Sequence, residues 1–188
     1  MNNINNNNLV SIIMSCHNGD KYLEQSINSV RNQQYQFWEL IFWDNNSSDK
    51  SLEIAKKYSL NDQRIKIFRS RYKHNISAAR NQAFKKSNGQ IITFLDVDDY
   101  WDIDKLQKQV EIFKNNPSMK LVYSNYEVFN QTKKTKRKAF SSLPSGEIMQ
   151  DLINHYCVGL LTLAITRNVF MEFNGFEEKF HIIGDFDL

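Results

Sequence analysis

Short runs of β-branched and aromatic residues alternate four times with segments whose apolar residues recur at helical spacing. That rhythm restricts the chain to a small set of layered folds. Residues 10–15 (VSIIMS) read as a strand, and Leu23, Ile27 and Val30 then mark one face of a helix. Residues 38–43 (WELIFW) read as a second strand and 44–48 as its turn. Leu52, Ala55 and Tyr58 form the buried face of the next helix, with Ser47 as its expected N-cap and Asp49 in its positive first turn. Residues 65–69 and 91–95 are the third and fourth strands. A helix over 77–87 between them is expected to close at Asn88-Gly89. Alternation of this kind gives right-handed crossovers and an α/β fold, a mainly parallel sheet flanked by helices. Ligands of such sheets gather beyond the carboxyl ends of the strands, which singles out residues 16–18, 44–48 and 96–99.

The pattern loosens afterwards. Asp102 is placed to cap a helix running to about Asn115, and residues 121–129 read as one long strand. A basic loop over 133–138, a helix over 147–155, a strand over 163–166 and a short helix ending at Asn174-Gly175 follow, before a terminal GDFDL.

With 188 residues, 41% of them hydrophobic, the chain suits one well-buried core. Residues 1–8, nearly all asparagine, have neither the basic nor the apolar region of a signal peptide and are expected as a frayed tail; 9–188 form the domain. The longest nearly apolar run, 158–165, falls well short of the roughly 20 residues that span a bilayer. A soluble, cytoplasmic protein is expected. Cys16 and Cys157 lack metal-ligand spacing and are expected as reduced core thiols. A net charge of +3 does not argue for a nucleic-acid partner, and none is expected. The run KKTKRK suits a solvated loop; its functional reading is attraction to anionic lipid, a peripheral contact at the inner face of the membrane.

Asp96-Val97-Asp98-Asp99 directly follows the apolar strand IITFL, so three repelling carboxylates stand at the ligand-binding edge of the sheet. A solvated turn that caps the next helix is one reading. The other is a hard divalent cation, because Mn²⁺ and Mg²⁺ prefer carboxylate oxygen and bridge readily to diphosphate. The position after a buried strand favours the cation.

Four segments, VSIIMSCHNGDKYLEQSINSV, WELIFWDNNSSDKSLEI, ISAARNQAFKKSNGQIITFLDVDDYW and NGFEEKFHIIGDFDL, resemble the successive landmarks of family 2 glycosyltransferases in order and spacing. The resemblance implies the GT-A fold, a Rossmann-like mixed sheet used by nucleotide-diphospho-sugar transferases. It further implies a nucleotide-sugar donor, a metal-dependent transfer with inversion, and a glycan or lipid-linked saccharide as acceptor. Residue by residue, it places Ser15 and His17 at the base, His17 standing where many relatives carry Tyr. Asp44 and Asn45 match the family's acidic pair, Asn45 keeping a carbonyl acceptor without the charge. Arg80 and Asp96 would meet the nucleotide, Asp98 the metal, and Asp99 the donor sugar or a helix N-terminus. Asp185 would be the catalytic base with Asp187 as fallback, Gly184 occupying the position where relatives carry Glu. The resemblance also implies a chain that continues beyond Leu188.

A nucleotidyltransferase, a dinucleotide oxidoreductase and a P-loop enzyme each need a glycine-rich phosphate loop, and residues 16–21 contain only Gly19. A non-catalytic nucleotide-sugar-binding subunit of the same fold stays compatible with Gly184 and Asn45.

Overall fold

The structure, a computed structural model, describes residues 8–179. Strands β1 (Val10–Cys16), β2 (Trp38–Asp44), β3 (Ile65–Arg69) and β4 (Ile91–Phe94) alternate with helices α1 (Asp20–Arg31), α2 (Ser51–Asn61) and α3 (Ile76–Phe84). Then follow α4 (Lys105–Asn115), β5 (Leu121–Val122), β6 (Glu127–Asn130), β7 (Thr135–Lys138), α5 (Met149–Asn154), β8 (Ala164–Thr166) and α6 (Arg167–Glu172). The main sheet runs in the order β3-β2-β1-β4-β8-β5, with β1 to β4 parallel and β8 antiparallel to both β4 and β5. The mixed, mainly parallel α/β sheet is the one expected.

Strand alternation sorts the core into two layers. Val10, Ile12, Met14 and Cys16 of β1 pack with Leu23, Ile27 and Val30 of α1, Ala55 of α2 and Leu106, Val110 and Phe113 of α4. Ile13, Ile41 and Phe94 face the other way, toward Ala79 and Ala83 of α3 and Phe170 of α6. Both cysteines are buried and free.

Several local expectations are corrected. Ser47 does not cap α2: its hydroxyl accepts from the backbone N–H of Asn18 (3.1 Å), while Asp49 accepts from Ser51 N–H (3.0 Å) and Asp20 N–H (3.0 Å). Asp102 gives α4 no side-chain cap. Gln33, on the far side of α1, accepts instead from Leu106 N–H (3.0 Å) and donates to Asp102 O (2.7 Å). Helix α3 stops at Phe84, before Asn88-Gly89. Gly89 is required by close approach, since a Cβ there would stand 2.6 Å from Leu9 O and Ser11 N. The region read as one strand over 121–129 splits into β5 and β6, and the basic segment read as a loop pairs as β7 against β6. Asn8, assigned to the tail, is buried, and its carbonyl accepts from Tyr35 Oη (2.7 Å).

At the amino end of the sheet Glu39 is 3% exposed and accepts from Ser11 Oγ (2.6 Å), Asn88 N–H (2.5 Å) and Lys66 Nζ (2.6 Å). Burial opposes its charge, but these donors outweigh burial and hold its carboxyl below the usual range. The opposite, carboxyl edge of the parallel strands is left for the site.

Candidate active site

Three strand ends and one loop form this edge. β1 ends at Ser15 and Cys16, β2 at Asp44, β3 at Arg69, and residues 96–99 turn back immediately after β4. The register aligns Ser15 with Trp43, Cys16 with Asp44 and Asp44 with Arg69, so the strand ends are level.

Asp44 is fully buried. One carboxylate oxygen accepts from Ser47 N–H (3.0 Å), and the other lies 3.0 Å from Arg69 Nε. That second contact is an ion pair without an aligned hydrogen bond, so Asp44 Oδ2 keeps its capacity to accept. Asn45, also buried, is differently placed from what its sequence position suggested. Its amide donates to His74 O (2.9 Å) and its carbonyl oxygen accepts from His74 N–H (2.9 Å), clamping the 71–75 loop. His17 is exposed, with Nδ1 3.1 Å from Asn45 O. A carbonyl only accepts, so Nδ1 is the donor in this contact.

Arg80 lies on the buried face of α3, where Asn75 caps the helix by accepting from Ala78 N–H (2.8 Å). Its Nη2 donates to both oxygens of Asp96 (3.0 and 2.9 Å), and its guanidinium stands 5.5 Å from the Phe176 ring centroid. Asp98 is exposed and has no ion pair or side-chain hydrogen bond among the described residues. Burial first, then the charges of Asp96 and Asp98, push the Asp99 carboxyl up to about 6. Negative charge in this loop thus exceeds its local compensation. Among the described residues no group of three protein ligands could hold a metal by itself. Asp98 fits a cation only as part of a shell completed by other oxygens, such as those of a diphosphate.

Two further residues fix the loop, and neither was singled out from sequence. Ser26 is fully buried on the apolar face of α1, where its hydroxyl donates toward the carbonyls of Asp96 (3.2 Å), Val97 (3.1 Å) and Asp99. A serine at an apolar helical position between Leu23 and Ile27 was the available signal. Gly19 leaves room for Val97, whose Cγ2 would stand 2.5 Å from any Cβ at that position. Asp185 and Asp187, the expected base and its fallback, lie outside the described residues.

The model of the family described as "Glycosyl transferase family 2" matches residues 11–179. The chain belongs to that family. It is 35% identical over 167 residues to the Escherichia coli UDP-Glc:alpha-D-GlcNAc-diphosphoundecaprenol beta-1,3-glucosyltransferase WfgD, covering 88% of this chain and 63% of that one. To the Bacillus subtilis putative teichuronic acid biosynthesis glycosyltransferase TuaG it is 32% identical, over 85% of this chain and 62% of that one. The chain therefore spans about three fifths of these relatives' length. In fold it matches S. aureus TarS 1-349 in complex with UDP with a TM-score of 0.75 at 20% identity, covering 95% of this chain and 53% of TarS. This likeness establishes the GT-A type of sheet for the family 2 chain.

Proposed function

We propose that the chain carries the donor side of an inverting glycosyltransferase that moves a sugar from a UDP-sugar to a hydroxyl of a lipid-linked saccharide or other glycan. The process served is surface polysaccharide biosynthesis, at the cytoplasmic face of the membrane. One observation carries the reading: a buried carboxylate oxygen able to accept (Asp44), a guanidinium–carboxylate pair (Arg80 with Asp96) and an exposed carboxylate without a partner among the described residues (Asp98) meet at the carboxyl edge of one parallel sheet. The nucleotides named for similar proteins agree, UDP-Glc for WfgD and UDP in the TarS complex.

In this reading Asp44 accepts the imide N–H of uracil, and Ser15 and His17 line the base. Asp96, oriented by Arg80, faces the ribose. Asp98 would hold Mn²⁺ or Mg²⁺ together with the donor diphosphate, and three neighbouring carboxylates, of which only Asp96 has an ion pair among the described residues, favour such an ion. When bound, the ion offsets charge growing on the departing diphosphate. Asp185, with Asp187 as alternative, takes the proton of the acceptor hydroxyl, which attacks the anomeric carbon opposite the leaving group.

The experiment is calorimetric titration of UDP into the chain in chelator and in Mn²⁺. Tighter binding in Mn²⁺, lost in Asp98→Ala, is expected; equal affinity in the two buffers overturns the metal assignment. Asp185→Ala should keep UDP binding and lose transfer in a chain extended to its relatives' length. Unchanged transfer would remove Asp185 as base.

A further inference from the structure

After β5 the chain leaves the main sheet and forms a two-stranded ribbon. β6 and β7 pair from Glu127↔Lys138 to Asn130↔Thr135, and all eight strand residues are exposed. Charge is concentrated there. Lys133, Lys134, Lys136, Arg137 and Lys138 against Glu127 give residues 127–138 a net +4, whereas the whole chain carries +3, so all the rest sums to −1. Direct opposition puts Phe129 beside Lys136 on one face and Val128 beside Arg137 on the other, both apolar side chains 43% exposed. Each face thus joins an apolar side chain to a cation whose own stem is apolar. Isolated two-stranded ribbons are marginally stable in water. This one is tied at its tip by Tyr22 Oη to Gln131 Oε1 (3.2 Å) and at its base by Ala139 N–H to Tyr126 O (2.8 Å) and the Asn125 amide to Phe140 O (2.5 Å).

We infer that the β6–β7 ribbon docks the protein on an anionic lipid surface, its cations meeting head groups while Phe129 and Val128 enter the interface. This rests on the reading above that the acceptor is membrane-borne. Charge complementarity selects the occupant: the five cations stand on exposed residues of one projecting ribbon. The exposed apolar pair gains from a lipid interface, whereas phosphate contacts on a nucleic acid would leave it unused. The Tyr22 contact sets the ribbon's tip against the start of α1, the helix whose Ser26 holds the acidic loop. Docking therefore brings the donor edge toward the surface on which a lipid-linked acceptor lies.

The test is co-sedimentation of the whole chain with vesicles of phosphatidylcholine alone or mixed with phosphatidylglycerol. Binding to the mixed vesicles, falling with salt, is expected. Each cation near an anionic surface is worth roughly five-fold, so changing all five to Gln should weaken binding by on the order of 1,000-fold. Lys133→Glu with Lys134→Glu, both outside the paired strands, gives a second variant that leaves the ribbon's pairing intact. Phe129→Ser should weaken binding in a way that salt does not reproduce. Equal binding to neutral vesicles, no loss in either charge variant, or preference for polyuridylate over anionic vesicles would overturn the inference. UDP affinity in Mn²⁺, measured on the same proteins, should not change with the ribbon variants. Vesicle binding without any UDP binding would sink the transferase reading and leave the docking surface standing.

Discussion

The carboxyl edge of the sheet, the proposed donor edge, and the β6–β7 ribbon are built on opposite principles. At the donor edge nearly every group has a partner: Asp44 has Ser47 and Arg69, Asn45 has both polar groups of His74, Arg80 has Asp96, and Ser26 gathers three carbonyls of the acidic loop. Along the ribbon all strand side chains are exposed, and its cations have few partners beyond the Lys136–Glu127 pair at 3.5 Å. A small, chemically constant ligand rewards preorganisation, because groups fixed in advance lose little freedom on binding. A broad charged surface asks only for charge density. Substitutions should therefore act strongly and individually at the edge, and weakly and cumulatively on the ribbon.

Asp98 breaks that contrast, being exposed and without an ion pair or side-chain hydrogen bond among the described residues, and the largest effect is expected there. Asp98→Ala should lower UDP affinity in Mn²⁺ by on the order of 100-fold, equivalent to about 2.7 kcal/mol, with thermal stability unchanged. A melting temperature that fell with the affinity would show Asp98 to be part of the scaffold.

Ser26→Ala ranks next. Its loss strips a buried donor from the carbonyls of the acidic loop, at a cost of about 2 kcal/mol, read by urea denaturation. On the ribbon, Arg137→Gln should change stability by less than about 0.5 kcal/mol. Equal effects would dissolve the distinction between the two regions.

Sequence reading reached the first four strands because their patterns are local: continuous apolar and β-branched runs specify β1, β2 and β4, buried on both faces, and alternation specifies the partly exposed β3. It placed Asp44, Asp96 and Asp98 at one edge because strand ends in a parallel sheet converge whatever the side chains do, whereas Arg80, on α3, was reached only through the family resemblance. It failed where a remote group overrides the local signal. Gln33 caps α4 from 73 residues away, leaving Asp102 without that role. Asn125 accepts from Tyr126 N–H (2.9 Å) and Phe140 N–H (3.2 Å), satisfying backbone groups that a continuous strand over 121–129 would need, and so divides β5 from β6. The lysine-rich β7 has poor strand propensity and pairs because Val128 and Phe129 stand opposite it. At the site, Asn45 was legible as an edge residue, but its clamp on His74, 29 residues on, was not.

That clamp yields a further prediction. Asn45→Asp removes the donor to His74 O and sets a carboxylate oxygen against a carbonyl. The expected cost is about 1 to 2 kcal/mol, with weaker UDP binding as the 71–75 loop loosens. Unchanged or tighter binding would mean that the side chain turns from His74 toward the nucleotide when ligand is present.

A pH-dependent effect tests the seam where the parallel half meets the rest of the chain. Lys105 opens α4, and although the residue as a whole is partly exposed, its Nζ bonds two buried neutral partners, Thr93 Oγ1 (3.2 Å) and Gln109 Oε1 (2.9 Å), and stands 3.9 Å from the Trp101 ring centroid. Those three side chains also donate to the carbonyls of Leu163 (2.6 Å), Thr162 (2.6 Å) and Leu161 (2.9 Å), so they stitch the approach to β8 onto β4 and α4. Burial pushes the Lys105 ammonium down from its ordinary 10.5 to about 7. Between those two values the unfolded chain binds a proton that the folded chain releases, so folding is penalised, and the penalty shrinks as pH rises through that window. Below about 7 both states are protonated and the penalty is constant. Urea denaturation at pH 7 and pH 9 should show Lys105 adding on the order of 1 kcal/mol of stability at the higher pH. Lys105→Met, which keeps the length of the stem and removes the charge, should flatten that rise. A rise of the same size in both proteins would show that Lys105 stays charged through this range, and that the seam is held by the three carbonyl contacts alone.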